Sequence, residues 1–96
     1  MIAIKLHKKT KHMKTRTNTI AESNSKNKSS EYLALANELL LDAQETAQET
    51  GNFFVSKIAD EIKTLFNKVK TADCEYTAYA NCNALEIWHN QIQSNF

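Results

Sequence analysis

Proline is absent from this 96-residue chain and glycine occurs once, at Gly51, so few positions can break a helix. The same count excludes a glycine-rich phosphate loop. Cysteine occurs twice, too few for a disulfide framework. No apolar run approaches the roughly 18–20 residues of a membrane span. The opening Met-Ile-Ala-Ile is followed by Lys5, His7, Lys8 and Lys9, so the apolar core of a secretory signal is missing. Arginine appears once, at Arg16, which weighs against an Arg-rich transit peptide. Together these absences predict a soluble, cytoplasmic protein with no membrane contact.

The charges that are present are sorted by position. Residues 1–29 hold eight of the twelve basic residues and one acid, a sum of +7; the remaining 67 residues sum to −6. The whole-chain value of +1 hides this split. Residues 30–50 carry five acids, Glu31, Glu38, Asp42, Glu45 and Glu49, and no Lys or Arg. Their spacings of seven, four, three and four put all five on one narrow helical stripe.

Residues 1–29 read as a basic arm and linker, and residues 30–96 as one small helical domain. Ile2, Ala3, Ile4 and Leu6 form an apolar run, and Met13, Thr15, Thr17 and Thr19 alternate with Lys14, Arg16 and Asn18. Such period-two patterning suits β-strands, so the arm is either flexible or a β-hairpin turning near residues 9–12. Residues 22–29 are polar without periodicity and read as a linker. Met13 is an alternative translation start that would remove four of the six clustered cations.

From Ser30 onward the pattern is helical. Ser29 or Ser30 can N-cap a first helix whose apolar face is Tyr32, Leu33, Ala36, Leu39, Leu40, Ala43 and Ala47, with Gly51 as its left-handed C-cap. A second helix over residues 52–70 carries Phe54, Val55, Ile58, Ile62, Leu65, Phe66 and Val69 at three- and four-residue spacing. A third segment, residues 72–93, places Cys74, Ala78, Leu85, Trp88 and Ile92 on one side and Tyr76, Ala80, Ala84 and Ile87 on another. Thr71 is its candidate cap, yet Lys70-Thr71-Ala72 contains no true breaker. The architecture is therefore a small antiparallel three-helix bundle or, if the last two segments fuse, a helical hairpin with one long arm.

No catalytic, cofactor or metal site emerges. Cys74, Cys82 and His89 lie on roughly one side of one helix, but successive members are about 10–12 Å apart, far beyond a shared zinc. The same separation rules out a Cys74–Cys82 disulfide, and both thiols are expected to be reduced and half-buried. A Cys–His nucleophile pair fails for the same reason. The acidic stripe sits on a convex face, which supplies neither burial nor a pocket for acid–base chemistry.

What remains is recognition. Like charges at i, i+4 cost a few tenths of a kcal/mol each, and nothing on the same predicted helix offsets them. The stripe is thus either a solvated face or a surface relieved by cations from elsewhere, whether the chain's own arm, a neighbouring subunit or the basic surface of a nucleic-acid-binding partner. Tyr79 and Trp88 are candidate contacts, although Trp88 is in phase with Leu85 and Ile92 and so reads as core. Alternatively, Lys5, Lys8, Lys9, Lys11, Lys14 and Arg16 neutralise phosphates, giving salt-sensitive nucleic-acid binding. A third reading is self-assembly, with the arm of one subunit on the stripe of another. In its size, its scarcity of glycine and proline and its segregated charge, the chain is similar to small inhibitors and adaptors of phages and mobile elements, anti-CRISPR proteins among them. That likeness implies a non-enzymatic regulator of a nucleic-acid-handling protein, and no motif carries it.

Overall fold

Four helices make up the part of the chain that the computed structural model describes, residues 15–95: α1 (Arg16–Ala21), α2 (Lys28–Thr50), α3 (Phe53–Lys70) and α4 (Glu75–Asn95). There is no strand among the described residues. None of these helices is long and apolar enough to cross a membrane. The expected strand over residues 2–6, the turn near residues 9–12 and five of the six arm cations lie outside the described residues.

Met13 and Lys14 of the second expected strand also lie outside the described residues, and its described part, residues 15–19, enters a helix instead. Thr15 is extended at the N-cap, and its hydroxyl oxygen accepts the Asn18 amide, so residues 16–21 coil. Alternating threonines mimic a strand period, but the same residue type is a strong helix cap, and the cap prevails here. The linker reading of residues 22–29 also shortens. Asn27, rather than Ser29 or Ser30, caps α2 by accepting the Ser30 amide, and Lys28 therefore belongs to the helix.

Gly51 closes α2 at φ 62°, its amide donating to the Ala47 carbonyl, and Asn52 immediately caps α3 through the Phe54 and Val55 amides. Residues 71–74 separate α3 from α4, so the fused long helix is not formed. Thr71 ends α3, with its amide and hydroxyl both donating to the Asn67 carbonyl, rather than capping α4. Cys74 directly precedes α4, its carbonyl accepting the Ala78 amide as the first bond of the helix. No glycine or proline is needed, because the turn lets α4 bury its apolar face where one straight helix would leave it in water.

The three long helices each pack on the other two, and α1 lies across α2 and α4. Tyr32 meets Tyr79 near the starts of α2 and α4, and Asp42 meets His89 and Gln93 further along, so these two helices run the same way. The core takes Leu35, Ala36, Leu39, Leu40 and Ala43 from α2, Val55, Ala59, Ile62, Leu65 and Val69 from α3, and Ala78, Cys82, Leu85 and Ile92 from α4. Trp88 is not in the core; it is 39% exposed, as is the Tyr76 and Ile87 side of α4 to a greater degree. Phe54 also departs from expectation, standing exposed beside Phe53 at the start of α3. α4 buries a single stripe along its length, and Leu85 and Ile92 share it with Cys82 rather than with Trp88.

Candidate functional site

Glu86 is a carboxylate buried to 5% exposure in the middle of α4, and it determines how α1 sits. Its Oε2 accepts the Arg16 amide at 2.8 Å, and its Oε1 accepts the Thr17 amide at 2.8 Å and the Thr17 hydroxyl at 2.7 Å. Those amides belong to the first turn of α1, where backbone N–H groups have no partner within the helix. A charged acceptor there satisfies two donors and meets the positive end of the helix. Thr17 is fully buried as a result, its hydroxyl also 3.5 Å from the Cys82 sulfur.

Contacts on either side complete the seat. The Thr15 hydroxyl donates to Asn83 Oδ1 at 2.9 Å, and the Tyr79 hydroxyl donates to Asn18 Oδ1 at 2.6 Å. Tyr79 packs in turn at a tilt against Tyr32 and Tyr76, with ring centres 5.9 and 6.2 Å away. Burial pushes the Tyr32 phenol above its usual range, and burial does the same to the Cys82 thiol, which donates to the Tyr32 carbonyl. Lys28 reaches back to the Ala21 carbonyl, closing the far end of α1. Among the described residues no buried side-chain nitrogen or oxygen lacks a partner.

Arg16 leaves this seat and spans onto the acidic stripe. Its guanidinium holds Glu38 through two bonds of 2.7 and 3.1 Å, both partners more than half exposed. The hydrogen bond to Arg16 lowers the Glu38 carboxyl below the usual carboxylate range, and the same bond raises the guanidinium. Asp42, one turn on, lies 2.6 Å from His89 Nε2 and also accepts from Gln93. Arg16 of α1 thus offsets the repulsion expected along the stripe at Glu38, and His89 of α4 gives Asp42 a hydrogen-bond partner. Glu31 is half-buried beside a shallow groove formed with Arg16, Ile20 and Leu35. Glu45 and Glu49 are exposed with no ion-pair partner among the described residues. Leu41, 57% exposed, adds an apolar point beside Asp42 and Glu45.

The remaining expected contacts fall elsewhere. Trp88 borders a groove with Lys57, Ile58, Glu61 and Thr64 of α3 rather than the stripe. Lys5, Lys8, Lys9, Lys11 and Lys14 lie outside the described residues. Cys74, exposed rather than half-buried, has its thiol lowered first by a hydrogen bond from the Thr77 hydroxyl, 3.3 Å away; Cys82 is fully buried. Among the described residues no three His, Cys, Asp or Glu side chains gather as a metal site would require.

Sequence reading missed Glu86 and Asn83 altogether, placed Thr15, Thr17 and Asn18 in a strand, and weighed His89 only as a metal ligand or catalytic partner. Only Thr15 left a signal, as a capping residue three before Asn18. Glu86 sits between Leu85 and Ile87 with no motif around it. No protein-family model, curated protein or solved structure matches this chain.

Proposed function

We propose that this chain is a non-enzymatic binding protein that regulates or inhibits a nucleic-acid-handling protein, presenting the acidic face of α2 to a basic surface. The observation that carries the reading is the row Glu38, Asp42, Glu45 and Glu49, in which the last two have no cation beside them among the described residues. Residues 15–95 as a whole hold seven basic and eleven acidic residues, a formal charge of −4, so their field favours cationic partners. Leu41 within the row offers apolar contact that charge alone lacks. The bundle supplies a rigid support for the row and is the antiparallel three-helix form.

The test uses fluorescein-labelled octalysine as the cationic probe and the charge reversal E45K/E49K. Binding by the native chain should weaken roughly tenfold or more in the variant, and should weaken with salt, while helicity by circular dichroism is retained. Unchanged affinity would remove the stripe from the mechanism. The same chains tested on DNA and RNA probes, with and without residues 1–12, separate the nucleic-acid reading, since only that reading requires an arm-dependent shift.

A further inference from the structure

The segment that forms α1 is bound in the manner of a ligand. Every polar contact it makes to the body goes to a side chain or carbonyl placed by α2 or α4: its amides and Thr17 hydroxyl to Glu86, its Thr15 hydroxyl to Asn83, its Arg16 guanidinium to Glu38, and its Asn18 to Tyr79. Thr17 also meets Cys82, and Lys28 donates to the Ala21 carbonyl. Glu86 is nine-tenths or more buried, an expensive place for a carboxylate unless a donor set is always supplied. The apolar share is small, with Ile20 and Ala21 only partly buried against the core. Residues 22–27 then lead to α2 outside any helix, and the hydrogen bonds of Ser23, Ser25 and Asn27 there are local.

We propose that the surface of α2 and α4 beneath α1 is a recognition site for an arginine-bearing helical turn, filled by residues 15–21 of the chain itself and open to the matching turn of a basic partner protein. The partner chemistry is read from the occupant. A hydroxyl residue follows the arginine and buries on Glu86, the first two free amides of the turn cap onto the same carboxylate, and the arginine chelates Glu38. For its biological partner the inference rests on the acidic-face reading above, because Glu38 belongs both to the seat and to the row. It adds that engagement proceeds by exchange: the partner's turn displaces α1, and the chain's own segment weakens any ligand that lacks those features. A tethered segment acts at a local concentration of the order of millimolar, so the native chain should bind a free copy of the turn only weakly.

The experiment uses a fluorescent peptide with the sequence of residues 14–22, Lys-Thr-Arg-Thr-Asn-Thr-Ile-Ala-Glu, and full-length protein. The variant R16A/T17P alters only the occupant, removing the guanidinium, the Thr17 hydroxyl and the Thr17 amide hydrogen while leaving the seat intact. It should bind the peptide about tenfold or more tighter than the native chain, the tethered competitor having been disabled. Adding E86A to it should abolish that gain, and a peptide with Ala in place of Arg16 and Thr17 should not bind. If R16A/T17P retains its helicity and still binds no peptide, the seat is a packing contact and the proposal is overturned. Should R16A/T17P lose its helicity, the native chain at millimolar peptide decides: exchange of the Arg16 and Thr17 amide hydrogens must accelerate, and unchanged exchange overturns the proposal. Octalysine measured on the same chains keeps the two readings apart. Octalysine binding through Glu45 and Glu49 without peptide binding removes the seat alone; peptide binding without octalysine binding removes the acidic-face reading and upholds the seat.

Discussion

Glu86 Oε1 accepts both the amide and the hydroxyl of Thr17, at 2.8 and 2.7 Å, although the two residues lie 69 positions apart. This pairing gives a six-residue helix, too short to be stable alone, a place against the body of the protein.

Replacing Glu86 by Ala should therefore release α1 without unfolding the three long helices. Stability should fall by about 1–3 kcal/mol, the range for donors deprived of a buried acceptor, and the loss is bounded by the docking energy of α1. Urea denaturation measures the first quantity; hydrogen exchange at the Arg16 and Thr17 amides, expected to approach unprotected rates, measures the second. E86Q should fall between E86A and the native chain, since its amide group faces one donor with another.

The Arg16–Glu38 pair is exposed on both sides, so screening keeps its worth to about 0.2–1 kcal/mol despite the two-pronged geometry. A double-mutant cycle with R16A and E38A should return a coupling in that range, shrinking in 1 M salt. The sign with pH follows from the lowered Glu38 carboxyl: its contribution is complete above the ordinary Glu range and is lost as pH falls through the depressed folded-state value. Repeating the cycle between neutral and strongly acidic pH checks this.

The two thiols should react in a fixed order. Cys74 is exposed and its hydrogen bond from Thr77 favours the thiolate, whereas burial disfavours the Cys82 thiolate and blocks access. Iodoacetamide on the native protein should modify Cys74 first, with Cys82 reacting only after denaturation, as peptide mapping would show. T77A should slow Cys74 because the stabilising hydroxyl is lost.

At Gly51 the cost of a side chain is conformational rather than steric. A Cβ there would meet nothing within 4 Å, but φ of 62° is left-handed. G51A should lower stability by about 1–2 kcal/mol, and G51N by less, since Asn tolerates that region better. Thermal denaturation of both variants tests the ranking.

The helical class was legible in residues 30–96 because apolar spacing and the lone Gly51 each have a local physical cause. Leu39, Leu40, Ile62, Leu65, Leu85 and Ile92 are all buried where periodicity puts them. The acidic row was equally legible, since it depends only on 3.6 residues per turn. Local pattern failed where two local rules competed, as in the Thr15–Thr19 alternation, and where a side chain had to choose between two plausible faces, as with Trp88.

What the sequence determined by itself is therefore the three long helical segments, the C-cap at Gly51 and the charge segregation, all set by interactions within a few residues. The tertiary structure alone decided that Glu86 is buried rather than solvated, that Arg16 reaches Glu38 and that His89 reaches Asp42. Those contacts join residues 22 to 70 positions apart, and their energy exists only once α1, α2 and α4 are packed together.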